Sequence, residues 1–308
     1  MAIMSGRETQ AVVAPVSMGP LVWLNGEVCP LDKAVTKVGD HAHLYGDGLF
    51  EGIRIYSRNI FKLDEHLNRL YQGIKSLAIE GMMPKEELKK IVLDTCVQAG
   101  ISDGYIRLNV TRGTGLGLDP RNINQVPNVM VMISHLRLYT PEMYETGLTA
   151  ITCSTRVFPP QCLDPRIKTI GRYVANIQAK IEANSQGAGE GIMLNVEGTV
   201  AEGTGDNLFV VRGNRLSTPT ASCGILRGIT RDTALAIGAE MGMDVVEERL
   251  SLYDVYSADE AFLTGTAAEI IGMVKLDGRT IGDGRPGPVT KQITERFREL
   301  TTTVGEKF

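Results

Sequence analysis

The chain has 308 residues, 43% hydrophobic and 22% charged, which is enough apolar material for packed cores and too much for a disordered chain. Its 32 basic and 36 acidic residues leave a net charge of −4 without a basic stripe, so no nucleic-acid partner is expected. Five scattered cysteines without a C-x-x-C argue against a disulfide framework or zinc ribbon, and no apolar run approaches the roughly 18 residues of a membrane span.

Residues 1–20 lack the basic start and apolar run of a signal peptide and read as a flexible tail, so the expected location is the cytoplasm. Leu21 to Val28 predicts a β-hairpin turning at Asn25-Gly26. Gly46 to Tyr56 predicts a glycine-rich turn entering a strand. Asp64 is placed as N-cap of a helix with Leu67, Leu70, Ile74 and Leu77 on one face; Pro84 opens a second helix through Ala99, stopped by Gly100. Tyr105–Thr111 and Val126–Leu136 predict strands around a glycine-rich loop, and Tyr139-Thr-Pro141 begins a linker. Further on, a strand at Leu148–Ser154 precedes a helix with Ile170, Val174, Ile177 and Ile181 on its apolar face. Short strands run from Gly191 to Pro219, a helix from Ile229 to Met241, a strand from Ala261 to Thr264, and a last helix from Pro288 to Leu300. The fold class is α+β, not a doubly wound sheet. The expected divisions are a tail at 1–20, a small α/β domain at 21–137, a linker at 138–147 and a larger domain at 148–308.

His41 and His43 are expected on one strand face with no third ligand nearby, so no metal is expected. Gly113-Thr-Gly115-Leu-Gly117 has the wrong spacing for a dinucleotide loop. Glycine is in excess, with 34 residues, and nine lie between Gln186 and Asp232. Such clustering marks tight turns or backbone that closely approaches a ligand. Within this region Ala201-Glu202-Gly203-Thr204-Gly205-Asp206-Asn207 leads into an apolar strand; it is either a β-turn or a carboxylate placed beneath an aromatic nitrogen. Leu226-Arg-Gly228-Ile229-Thr230 opens a helix, where free N–H groups and a hydroxyl suit an anion unless Thr230 merely caps it. Lys168 precedes a helix and is either a solvated surface lysine or a Schiff-base lysine.

Seven motifs, in order, resemble those of the fold-type IV, class IV pyridoxal-phosphate aminotransferases. They are Tyr45-Gly-Asp-Gly-Leu-Phe50-Glu-Gly-Ile-Arg54, Glu65-His-Leu-Asn-Arg69, Tyr105-Ile-Arg107, Lys168 with Tyr173, Glu202-Gly-x-Gly-x-Asn207, Gly228-Ile-Thr230-Arg231 and Gly265-Thr266-Ala267-Ala268-Glu269. The wording is most similar to the branched-chain amino-acid aminotransferases. Leu108 and the run Ile270-Ile-Gly-Met273 depart from that branch in segments that border the substrate pocket in the family. D-amino-acid aminotransferase, amine transaminase and aminodeoxychorismate lyase therefore stand as alternatives.

The resemblance implies a small α/β N-terminal domain, a larger pseudo-barrel C-terminal domain, pyridoxal 5'-phosphate as cofactor, and small amino and 2-oxo acids as substrates. No nucleic acid or membrane is implied as partner, and at least a homodimer is. Lys168 would hold the cofactor and move the α-proton, Glu202 would face the ring nitrogen, and Tyr173 the ring hydroxyl. Arg69, the backbone of Ile229 and Thr230, and the hydroxyls of Thr230 and Thr266 would bind the phosphate, with Gly205, Leu226 and Gly228 completing the cofactor site. Arg69 also stands four residues after Glu65, the spacing of a surface ion pair. For substrate, Arg107 would take a side-chain carboxylate, and Tyr105 with Thr266 and Ala267 the α-carboxylate. Phe50 and Tyr45, the latter from a partner subunit, would line the apolar pocket.

Overall fold

The computed structural model describes residues 21–124 and 126–308; the expected tail at 1–20 lies outside the described residues. The chain divides into two units. Of the described residues, the first holds Leu21 to Arg137 together with Leu163–Tyr173 and Arg296–Phe308, and the second holds Leu138–Cys162 and Val174–Glu295.

The first unit contains β1 (Leu21–Leu24), β2 (Glu27–Cys29), α1 (His41–Tyr45), β3 (Gly48–Tyr56), β4 (Asn59–Ile60), α2 (Leu63–Ser76), α3 (Lys85–Ala99), β5 (Gly104–Thr111) and β6 (Asn128–Ser134). Its sheet runs Glu306–Lys307, β4, β3, β5, β6, β1, β2, with every pairing antiparallel. Because successive side chains of a strand point to opposite faces, the β3–β5 register sorts this ladder into two surfaces. Leu49, Ile53, Ile106, Leu108 and Val110 face a core completed by Leu63, Leu67 and Leu70 of α2 and Leu88 and Val92 of α3. The paired positions Phe50 and Asn109, Gly52 and Arg107, and Arg54 and Tyr105 share the other surface.

Several expectations are corrected here. The α2 N-cap is Lys62, not Asp64; Asp64 lies in the first turn and accepts from Lys89 at 2.9 Å. His41 and His43 lie on α1, a five-residue helix too short to show a helical period in the sequence and capped by the Asp40 side chain. Leu163–Tyr173, expected with the larger domain, belongs to the first unit because its backbone bonds along the start of β3. Phe50 N donates to Lys168 O at 3.1 Å, Ile170 N to Gly48 O at 2.9 Å and Gly171 N to Gly46 O at 3.1 Å. The C-terminal residues join the same unit through Asn59, whose side-chain amide donates to Thr301 O and Val304 O, and through Phe297, which packs edge-on against Phe61.

The second unit contains α4 (Pro141–Thr146), β7 (Leu148–Arg156), α5 (Tyr173–Ser185, its first residue in the other unit), β8 (Glu190–Leu194), β9 (Val200–Gly203), β10 (Asn207–Arg212), β11 (Arg215–Pro219), α6 (Ile229–Glu240), β12 (Asp244–Glu248), α7 (Leu252–Tyr256), β13 (Glu260–Gly265), β14 (Glu269–Leu276), β15 (Arg279–Thr280) and the start of α8 (Pro288–Thr303). The sheet order is β12, β11, β10, β13, β14, β7, β8, β9, with β15 on β14. The path curls until β9 lies against β10 and β11.

The expected linker at 138–147 holds α4, capped by Thr140, and Tyr139 is buried in the second unit's core. The stripe assigned to α5 is reversed: Val174, Ile177 and Ile181 are each about 60% exposed, while Asn176, Ala179 and Ala183 face inward. Small residues let this helix approach the sheet, where Cys153 Sγ meets Ala179 O at 3.4 Å and Asn176 Nδ2 donates to Thr204 O at 2.8 Å.

Candidate active site

The polar surface of the β3–β5 ladder gathers five of the expected residues. Lys168 Nζ donates to the Tyr173 hydroxyl at 2.9 Å and lies 4.7 Å from the centre of the Phe50 ring. Phe50 meets the Tyr173 ring edge-on at 4.7 Å. The Arg107 guanidinium stacks on the same Phe50 ring at 3.6 Å and donates from Nε to Asn109 at 2.8 Å. Among the described residues neither Lys168 nor Arg107 has an ion-pair partner. Two cations on one aromatic ring without an acid between them make a surface suited to carboxylates. Tyr105 stands beside them, its hydroxyl 1.9 Å from where a Cβ on Gly52 would be, so only glycine leaves room for it. Burial pushes the Tyr105 hydroxyl pKa up, against a smaller downward pull from Arg107.

Behind this surface, Glu51 is a fully buried charge on the core face of β3. Arg69 donates to it twice, Nε to Oε1 at 2.8 Å and Nη2 to Oε2 at 2.7 Å, and His66 Nδ1 lies 2.7 Å from Oε2. Burial would raise the Glu51 carboxyl, but the Arg69 charge and the hydrogen bonds from Arg69 and His66 outweigh it and bring it down to about 2. Burial lowers the His66 pKa against the opposing pull of Glu51, and because the carboxylate can only accept, His66 Nδ1 is the donor of their hydrogen bond. The ion pair open to Arg69 in the sequence, with Glu65, does not form; Glu65 pairs with Lys62. The Glu51–Arg69 pair, 18 positions apart, left no local signal to find it.

Tyr45 is placed elsewhere. Its hydroxyl accepts from Gly117 N at 3.1 Å and its ring packs on His41, beside a hollow lined by Asp47, Leu77, Arg112 and Leu118.

In the second unit Glu202 is buried at the end of β9, and its Oε2 accepts from Leu226 N at 2.8 Å and from Asn207 Nδ2 at 3.2 Å. Asn207 Nδ2 also donates to Leu226 O at 2.8 Å. Gly205 has open space where a side chain would project. The neighbouring glycines answer to protein atoms: Asn207 Oδ1 lies 2.2 Å from an ideal Cβ on Gly228, and Asp206 Oδ1 lies 2.0 Å from one on Gly265. Each of these glycines directly precedes an expected binding segment: Ile229-Thr230 at the start of α6, expected at the phosphate, and Thr266-Ala267 in the β13–β14 turn, expected at the α-carboxylate and, through the Thr266 hydroxyl, the phosphate. Glu190 braces the turn from below, accepting from Thr204 N at 2.8 Å and Gly191 N at 2.9 Å. The N-cap of α6 is Gly228, which has no side-chain oxygen to offer, so Thr230 is not the cap but lies in the first turn. Uncapped first-turn N–H groups and the helix dipole favour an anion there. Asn207 and Glu51 carry structural parts of these sites that the motif wording contained but did not assign, and Glu190 lies outside the motifs altogether.

The residues that depart from the branched-chain wording serve the two cores. Leu108 is fully buried in the first unit's core, and Ile271 and Met273 are buried in the second's.

Comparison with known proteins identifies the family. The amino-transferase class IV family model matches residues 48–276. The chain is 44% identical over 287 residues to a Methanocaldococcus jannaschii protein provisionally named as a branched-chain-amino-acid aminotransferase, covering 93% of this chain and 98% of that one. It is 34% identical over 286 residues to the branched-chain-amino-acid aminotransferase of Escherichia coli K12, covering 91% and 93%. Among solved structures, a T.th. branched-chain amino acid aminotransferase with pyridoxamine 5'-phosphate superposes with a TM-score of 0.88 at 36% identity, covering 94% of this chain and 96% of that chain. The same enzyme has been solved with N-(5'-phosphopyridoxyl)-L-glutamate and with 4-methylvaleric acid. The chain belongs to the class IV aminotransferases, and its fold is the two-domain α+β fold of type IV.

Proposed function

We propose that this protein transfers the amino group of branched-chain L-amino acids (leucine, isoleucine, valine) to 2-oxoglutarate, giving the branched-chain 2-oxo acid and L-glutamate, with pyridoxal 5'-phosphate as cofactor. The observation that carries this reading is the cluster of Lys168, Tyr173, Phe50 and Arg107, an amine beside a phenol and a second cation on the same ring.

The donor set suits the cofactor: an amine for its aldehyde, a phenol for its ring hydroxyl, a carboxylate for its ring nitrogen, and helix N–H groups with threonine hydroxyls for its phosphate. When bound, the cofactor supplies an aromatic sink for the electron pair left at the substrate's Cα. Lys168 would hold the aldehyde carbon and, once displaced by the incoming amine, carry the α-proton as base and then acid. Tyr173, hydrogen-bonded to Lys168, orients that amine. Glu202 would keep the ring nitrogen protonated. Arg69, aimed by Glu51, would serve the phosphate with the N–H groups of Ile229 and Thr230 and the hydroxyls of Thr230 and Thr266. Gly205, Leu226 and Gly228 would form the adjoining backbone.

Tyr105 and the N–H groups of Thr266 and Ala267 would receive the α-carboxylate, and Arg107 the side-chain carboxylate of glutamate. Phe50, with Tyr45 of the partner subunit, would receive an apolar side chain. One arginine beside apolar groups thus serves two unlike substrates, in keeping with the glutamate adduct and the branched apolar acid bound by the T.th. relative. The exposed Val174, Ile177 and Ile181 support assembly as a homodimer or higher homo-oligomer. Among the described residues no helix is long and apolar enough to cross a membrane, and we place the enzyme in the cytoplasm. Half-reactions with L-leucine, D-alanine and an aromatic amine, followed by loss of the bound chromophore's absorbance, test the substrate class. L-leucine is expected to react fastest, and rapid reaction with D-alanine alone would overturn the assignment.

A further inference from the structure

We infer that Asn207 is the positioning residue that aims the Glu202 carboxylate at the cofactor's ring nitrogen. This role rests on the one proposed above for Glu202. One side-chain nitrogen, Asn207 Nδ2, bridges Glu202 Oε2 at 3.2 Å and Leu226 O at 2.8 Å, using both of its protons. The Leu226 N–H donates to the same Glu202 oxygen at 2.8 Å. Hydrogen bonds therefore link the carboxylate, the amide and the backbone of a single residue into one closed, buried group. Both of these donors to the carboxylate are N–H groups, which suits its ionised form.

The far side of the amide is fixed as well. Asn207 Oδ1 occupies the space a side chain on residue 228 would need, 2.2 Å from the ideal Cβ of Gly228. Turning the amide over would present its oxygen to both the Glu202 carboxylate and Leu226 O and lose both hydrogen bonds.

The test is the uptake of two probes by apoprotein, wild type and Asn207→Ala, measured by absorbance titration. One probe is pyridoxal phosphate; the other is its 1-deaza analogue, which has the phosphate and aldehyde but no ring nitrogen. Loss of a hydrogen bond that orients a buried charge should weaken pyridoxal phosphate about tenfold in the variant. The deaza analogue should bind wild type and variant within about twofold, because Asn207 acts through a contact the analogue lacks. The nearly isosteric Asn207→Asp, which removes the N–H donors without leaving a cavity, should show the same split, and analogue binding reports that the variants fold. Equal weakening of both probes, or no weakening of pyridoxal phosphate, would overturn the inference. Failure of wild-type apoprotein to take up pyridoxal phosphate would overturn the functional assignment itself and this inference with it.

Discussion

Lys168 Nζ and the Tyr173 hydroxyl are 2.9 Å apart, and both residues pack on the ring of Phe50. The backbone of Lys168 is itself bonded to Phe50 N, so the amine, the phenol and the aromatic wall form one locally rigid group. Tyr173→Phe removes the hydroxyl and leaves the ring contact. We expect kcat to fall roughly 10- to 100-fold, the scale of one hydrogen bond to a charged group. The pH at which the bound chromophore changes colour should move as well. Steady-state kinetics with a spectral pH titration check this, and an unchanged titration would remove Tyr173 from the chemistry.

Arg107 is held against Phe50 and Asn109 without an acid partner among the described residues. Arg107→Ala is expected to lower kcat/KM for L-glutamate and 2-oxoglutarate about 100-fold while leaving L-leucine within about fivefold, since only the former lose a charge-assisted hydrogen bond. An equal loss for all substrates would make Arg107 structural.

Gly52→Ala separates the two carboxylate sites. Its methyl group would stand 1.9 Å from the Tyr105 hydroxyl and must displace it. Tyr105 is assigned to the α-carboxylate that every substrate shares, so KM should rise for L-leucine and L-glutamate alike, by about tenfold for one lost hydrogen bond. Parallel kinetics on the two substrates distinguish this pattern from that of Arg107→Ala.

Glu51 predicts the acid limb of stability. Its carboxyl is lowered from an ordinary 4.5 to about 2. A group lowered in the folded state stabilises above its unfolded value and loses that contribution as pH falls through the folded one. Stability should therefore drop between about pH 4.5 and pH 2, by roughly 3 kcal/mol from this group. Glu51→Gln should flatten that limb in urea titrations at each pH. It should also destabilise the protein at pH 7 by about 3 kcal/mol, because the partly exposed Arg69 loses the buried carboxylate to which it donates twice.

The legible parts of the sequence are those governed by local chemistry. The Asn25-Gly26 hairpin, the stop of α3 at Gly100 and the alternation of β5 all form as their residues dictate. Period-2 alternation even sorts the site: Tyr105 and Arg107 fall on one face and Leu108 on the other. What stays hidden depends on partners far along the chain. The α5 stripe points inward by spacing alone, but Ala179 and Ala183 pack more closely than isoleucines could, so the larger side chains face out. Glu51 finds Arg69 only once β3 and α2 meet, and Asn207 finds Leu226 only through the fold. The glycine excess is likewise only partly about a ligand. Gly228 and Gly265 make room for the side chains of Asn207 and Asp206.

That Lys168 carries the cofactor is tested most directly by borohydride reduction of the purified holoenzyme, followed by mass analysis of its peptides. One phosphopyridoxyl group per chain is expected, on Lys168. A modified lysine elsewhere, or a protein that acquires none after incubation with pyridoxal phosphate, would contradict this assignment.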